Sequence, residues 1–219
     1  MNCYFQGCNE KGITKEHIPP RSFFPEGEKN QLLTVRSCKN HNNAKSRDDL
    51  YVLAQICMNA SPCNRAREVF LNKVTPQLNF NNGALRKKLS AGAISFGNGA
   101  VKYRVDVARL DDFFTALSCG IVYKSCGSSL PANYVVSHVY HNLQKEDNPS
   151  TQEIEVAICD FYSEKPMDFM KFGDPDTKNE RIYTVKIFGI PKYQSSITIV
   201  HTFFGVFKVT SMLTNFEAK

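Results

Sequence analysis

The spacing of apolar residues divides the chain into three stretches. Up to residue 40, Gly7, Gly12, Pro19, Pro20, Pro25 and Gly27 punctuate the sequence too often for a long helix. The β-prone run 31–35 is the one strand expected there. A helix is then expected from Asp48 or Asp49, both good N-caps, with Leu50, Leu53, Ile56 and Cys57 along one face. Ser61-Pro62 sets a second helix start, with Ser as cap and Pro in the first turn. That helix buries Ala66, Val69 and Phe70 and turns Arg65 and Arg67 toward water. A short helix over 84–91 carries Arg86, Lys87 and Lys88.

Past residue 100 the period changes. Alternation over 101–107 predicts a strand, and Leu110, Phe113, Phe114, Leu117, Ile121 and Val122 predict a helix over 109–125. Four more strands are expected over 133–140, 153–161, 181–189 and 197–210, the last as a hairpin bent at Gly205. Asn148-Pro149-Ser150 and Gly173-Asp174-Pro175-Asp176 supply turns between them. The pattern is that of an antiparallel sheet with one long helix against it, in an α+β protein of two parts. Residues 1–60 form a first module, and 61–219 hold a helical segment followed by the sheet module. The second part carries no motif with a readable role, which leaves it open to a protein partner or to self-association.

Charge sharpens this division. Net charge is +6, yet residues 61–110 carry nine Lys and Arg against two acidic residues, Glu68 and Asp106. A local basic excess of this kind is a polyanion-facing surface or the solvated side of helices. Arg65, Arg67, Arg86, Lys87 and Lys88, with Lys45 upstream, are the candidate phosphate contacts. The uncharged run 193–207 is too short and too polar to span a bilayer. The N-terminus has no apolar signal core, so a cytoplasmic protein is expected. Eight cysteines in a reducing compartment are read by spacing. Cys57, Cys63, Cys119, Cys126 and Cys159 lie among apolar residues and read as packing cysteines.

The remaining three are arranged differently. Cys3-x4-Cys8 is followed by Cys38-x2-His41, two closely spaced pairs that can fold back around one ion. A Cys3His set suits tetrahedral structural zinc, and a segment with few large apolar residues benefits from such a staple. Between the pairs stands Thr14-Lys15-Glu16-His17-Ile18-Pro19-Pro20. After it come Asn30-x-Leu32-Leu33-Thr34-Val35, then Cys38-x2-His41-Asn42, then Lys45-Ser46-x-Asp48-Asp49. The ordered set, covering residues 3–51, resembles the HNH endonuclease family.

The resemblance implies a ββα-metal fold and hydrolysis of nucleic-acid phosphodiesters, most of all DNA, leaving a 5′-phosphate and a 3′-hydroxyl. By position, His17 matches the general base, Glu16 the acidic ligand of a catalytic Mg²⁺ or Mn²⁺, Asn42 the residue that completes that site, and Asn30 the asparagine that orients the base loop. A histidine at the last motif position is lacking unless His41 supplies it. The Cys38-x2-His41 spacing favours His41 on zinc, with Asn42 left for the catalytic ion. Asp48 and Asp49 read as helix caps or as additions to the metal site. His138, His141 and His201 lie in expected strands without a ligand partner at useful spacing, and read as structural. Some HNH proteins act in bacterial defence against phage, which makes defence one expected setting. The competing expectation is a zinc-stabilised nucleic-acid-binding or scaffold protein that cleaves nothing.

Overall fold

Short extended runs between the N-terminal turns pair into a two-stranded ribbon. β1 (Thr14–His17) and β2 (Thr34–Ser37) are antiparallel, with Glu16 opposite Val35 and His17 opposite Thr34. The computed structural model describes residues 1–29, 32–46, 48–60, 63–97, 99, 101–143, 157, 168–170, 182–188 and 196–215, of which 44–46 and 168–170 are described by backbone alone. β2 begins later than the β-prone run 31–35. Pro19 and Pro20 have no N–H to donate, so β1 stops at His17 and β2 is paired only where β1 faces it.

α1 (Lys39–Ser46) follows β2 at once. Its sequence has no apolar stripe, so periodicity did not announce it. α2 (Asp49–Asn59) begins where expected and buries every residue from Tyr51 to Cys57. Asp48 does not cap it through its side chain as expected; the carboxylate pairs with Arg109 and lies 3.8 Å from Lys88 Nζ. α3 (Asn64–Val69) buries Ala66 and Val69 and runs into one wide helical turn over Phe70–Val74. Ser61 and Pro62, the expected start of that helix, lie outside the described residues. α4 (Ala84–Leu89) stops short of residue 91, with Ser90 N–H closing onto Arg86 O.

The expected strand over 101–107 shrinks to β4 (Val101–Lys102), paired with β3 (Ile94–Ser95). Tertiary bonds take the rest of it. Asp106 N–H donates to the Tyr51 hydroxyl at 2.9 Å, its carboxylate accepts from Arg109 Nε at 2.8 Å, and helix α5 (Val107–Cys126) begins. α5 ends at Gly127, whose φ of +75° allows its N–H to close onto Tyr123 O.

Five antiparallel strands follow in the order β5-β9-β8-β7-β6. They are β5 (Tyr134–Tyr140), β6 (Asp168–Met170), β7 (Tyr183–Phe188), β8 (Ser196–Phe203) and β9 (Phe207–Asn215). The hairpin bends at Phe204-Gly205, both with positive φ. β9 outlasts the expected end at 210 because β5 and β8 pair with it on both sides as far as Thr214. The strand expected over 153–161 and the turns at 148–150 and 173–176 lie outside the described residues, apart from Ala157. Helices and antiparallel sheets together make this a mixed α+β protein. No helix among the described residues is long and apolar enough to cross a membrane.

α5 is the wall between the sheet and the N-terminal module. On its sheet side, Ser118 Oγ lies 3.0 Å from His201 Nε2, and Tyr183 OH lies 2.7 Å from His201 Nδ1. His138 bonds Thr115 at 2.9 Å and Ser211 at 2.8 Å. These buried polar groups satisfy one another, as burial requires. Phe23 stacks on Phe113 with ring centroids 5.4 Å apart and meets Phe203 at 5.9 Å. One apolar cluster therefore runs from Cys3 to Leu213.

Gly120 lets β1's exit turn sit on α5: a Cβ there would stand 2.9 Å from Ile18 Cδ1 and 3.0 Å from its Cγ2. Gly120→Ala gains about 1 kcal/mol of helix propensity but overpacks this contact at about 1–3 kcal/mol. The variant is expected to melt below wild type, by calorimetry.

Acid sensitivity follows from the buried histidines. Burial pushes His138 down to about 4 and holds His201 well below the ordinary range. In the unfolded chain both protonate near pH ~6.5. Between that pH and 4 the unfolded state binds more protons than the folded one, so stability is full above the window and falls as pH drops through it. For His138 alone the loss approaches about 3 kcal/mol. The melting temperature is expected to fall across this window in wild type, and less steeply in His138→Gln.

Candidate metal centre and adjoining cleft

A turn explains the four-residue gap in the first ligand pair. Cys3 N–H bonds Glu10 O, Cys8 N–H bonds Phe5 O, and Gly7 takes a φ of +65° that side-chain-bearing residues rarely adopt. Both thiols of the loop then face one point. The second pair straddles the start of α1, where Cys38 precedes the helix and His41 sits in its first turn.

The donor atoms of Cys3, Cys8, Cys38 and His41 all lie within 4.8 Å of one another. His41 Nδ1 stands 3.4 Å from Cys3 Sγ and 3.2 Å from Cys38 Sγ. Ligands placed tetrahedrally at zinc–sulfur and zinc–nitrogen distances would be about 3.6–3.8 Å apart. The cluster could therefore hold a structural metal ion, and its soft donors suit zinc. Its surroundings support the ligands. Cys38 N–H donates to Cys3 Sγ, His41 N–H donates to Cys38 Sγ, and the Phe5 ring stacks on the His41 imidazole at 4.2 Å and 15°. Cys57, Cys63, Cys119 and Cys126 stand outside the cluster, and burial pushes the Cys57 thiol up to about 12. Cys159 lies outside the described residues.

The residue after each outer ligand leads to a cleft. Tyr4, following Cys3, is buried and donates its hydroxyl to Glu16 Oε1 at 3.1 Å. Burial, then the Glu16 charge, pushes the Tyr4 phenol well up, so it stays a donor. Asn42, following His41, lines a cleft of about 190 Å³ together with Lys15, Glu16, His17, Pro20, Arg21, Ser22 and Asp49. Neighbouring residues of a strand point to opposite faces. Glu16 and His17 reach the same cleft because His17 is the last residue of β1, beside the turn at Ile18-Pro19-Pro20. His17 is half-buried, and its pKa is lowered by burial first and by the Arg21 charge second, against the opposing pull of Glu16. Its imidazole is neutral at neutral pH.

Three of the expected catalytic-site residues, Glu16, His17 and Asn42, thus share one cleft. Asn30 lies outside the described residues, as does the side chain of Lys45 on α1. Arg65 stands apart from the cleft, ion-paired with Glu28 and, at 2.6 Å, with Glu68. Arg67 is exposed on α3, and Arg86, Lys87 and Lys88 are exposed on α4. Tyr4 and Arg21 were not singled out from sequence for these positions. Arg21 carried one available signal, a cation directly after the Pro-Pro turn that ends the Glu16-His17 strand. Tyr4 carried none, since its partner lies across the fold.

No protein-family model, curated protein or solved structure matches this chain. What the geometry defines is a candidate metal centre of three cysteines and a histidine, adjoining a polar cleft.

Structural metal binding is folding free energy. Cys38→Ser is expected to lower zinc content, read by elemental analysis, together with the melting temperature, by about 10 °C for a chain of this size. Native protein that contains no zinc would sink the four-ligand assignment.

Proposed function

We propose that the chain is a metal-dependent endonuclease of HNH type that hydrolyses phosphodiesters of nucleic acid, most of all DNA, with Cys3, Cys8, Cys38 and His41 on structural zinc. One observation carries this reading: the cleft gathers Glu16, His17 and Asn42, the residues whose motif positions imply that chemistry. The order β1, β2, α1 supports it, because a ribbon followed by a helix is the arrangement the resemblance implies.

The donor set fits a hard cation. Glu16 and Asp49 offer carboxylate oxygens and Asn42 an amide oxygen, the ligands that Mg²⁺ and Mn²⁺ prefer. When bound, such an ion supplies positive charge to the scissile phosphate and the leaving oxygen. The protein's own residues do the rest. Neutral His17 takes a proton from water, whose oxygen attacks phosphorus. The P–O3′ bond breaks and the departing O3′ takes a proton from solvent water, leaving a 5′-phosphate and a 3′-hydroxyl. Arg21 places a cation in the same cleft, beside His17, where substrate phosphate would lie. Tyr4 fixes one oxygen of Glu16, so the carboxylate is oriented before any ion arrives.

The test is plasmid cleavage with Mg²⁺ or Mn²⁺, with and without chelator. His17→Ala is expected to lose activity by about 10²–10⁴-fold while keeping its zinc and its melting temperature. Glu16→Gln keeps an oxygen acceptor for Tyr4 but loses the charge, and is expected to lose activity with zinc intact. A wild-type protein that carries zinc and binds nucleic acid yet cuts nothing under any divalent ion would make it a binding module instead.

A further inference from the structure

The β3–β4 ribbon has no place in the core. Its ladder holds two residues per strand, and Ile94, Phe96 and Val101 are 58 %, 49 % and 53 % exposed. A ribbon this short is marginal in water, and about half of each of these side chains is left open to solvent. The register places Ile94 directly opposite Lys102, so the two share a face, and Phe96 follows two positions after Ile94. Arg104, two positions after Lys102, is exposed beside Gly92 at the ribbon's base, with its Cβ 3.8 Å from where a Gly92 Cβ would stand. Ile94 and Lys102 therefore stand side by side on one face of the ribbon, with Val101 on the other, opposite Ser95.

Charge identifies the partner. Within residues 61–110 the two acidic side chains are committed elsewhere, Glu68 to Arg65 and Asp106 to Arg109. The exposed Arg86, Lys87 and Lys88 of α4 add cations just ahead of the ribbon. A partner for this surface must offer dense negative charge next to apolar surface, and a nucleic-acid duplex offers both in its phosphates and base stack. Single-strand platforms use several aromatics for stacking. The ribbon exposes one aromatic, Phe96, beside aliphatic Ile94, while Tyr103 between Lys102 and Arg104 is half-buried; one exposed aromatic with an aliphatic neighbour is the composition of a wedge.

We infer that the β3–β4 ribbon is a wedge for duplex DNA, with Phe96 and Ile94 pressed against a base step while Lys102 and Arg104 take the flanking phosphates. The choice of nucleic acid as partner rests on the hydrolase reading.

The experiment is duplex binding by fluorescence anisotropy on zinc-loaded protein in buffer without added Mg²⁺ or Mn²⁺, across about 50–200 mM salt. Phe96→Ala is expected to weaken binding about tenfold with an unchanged slope of log affinity against log salt, because phenylalanine releases no counterions. Phe96→Leu keeps an apolar wedge and is expected to restore most of that loss. Lys102→Gln with Arg104→Gln is expected to flatten the slope by about 1.8, or 0.9 per phosphate contact. Affinity within twofold of wild type for Phe96→Ala overturns the wedge. So does a Phe96→Ala protein whose duplex binding is intact while its oligomeric mass falls, which would make the ribbon a contact between copies. Wild type that keeps its zinc and its fold yet fails to bind duplex also overturns it, whatever the cleavage assay gives. Wild type that binds through Phe96 yet cuts nothing with Mn²⁺ leaves the wedge standing and removes the hydrolase.

Discussion

The convergence of Cys3, Cys8, Cys38 and His41 within 4.8 Å is the constraint on which the N-terminal module depends. It ties the first residues of the chain to the start of α1, across a segment rich in turns. Both neighbours of the outer ligands inherit fixed positions from it. Tyr4 is carried under Glu16, and Asn42 is carried to the cleft wall. A metal in the cluster would thus hold the cleft in shape without touching it. The stacking of Phe5 on His41 belongs to the same logic, since a ring packed face to face restricts the imidazole to one orientation.

The other side of the cleft depends on α5. Phe23 and Ile18, on the turn that leaves β1, are packed against Phe113 and Gly120 of that helix. The sheet fixes α5 in turn, through apolar contact and through hydrogen bonds that His138 and His201 make with Thr115 and Ser118. Both imidazoles are neutral in these bonds, because burial penalises the charged form. The sheet module has a mechanical role in the site even though none of its described residues lines the cleft.

Legibility from sequence followed the range of the interaction. The cysteine and histidine spacing, the long helix over 109–125 and the hairpin at Gly205 are local patterns, and the structure shows the ligand cluster, α5 and the β8–β9 turn. α1 was hidden because its residues are polar all round and its anchor is His41, whose ligand partner Cys3 lies 38 positions away. The strand expected over 101–107 failed for a similar reason: the Tyr51 hydroxyl, 55 positions distant, takes the Asp106 N–H and helps set where α5 begins. Arg65 reads as a surface cation until the fold brings Glu28 to it from 37 positions away. Alternation and spacing report neighbours along the chain, and these partners are not neighbours.

The same fold-level pairing redistributes the basic excess of residues 61–110. Arg65 and Arg109 are spent on carboxylates, and Asp48 draws on both Arg109 and Lys88. An ion pair between partly exposed groups contributes little to stability, about 0–1 kcal/mol, so these pairs are better understood as setting where positive charge remains. It remains on Arg86 and Lys87 of α4 and at the β3–β4 ribbon, beside apolar side chains that the core does not claim. Within the cleft, Arg21 stands with Glu16 and Asp49, where a cation both lowers the cost of gathering acidic groups and attracts phosphate. Positive charge therefore occurs in two settings with different physics. In the cleft it is balanced by acidic groups and acts at short range. On the ribbon and α4 it is exposed, acts over about a Debye length, and weakens with salt.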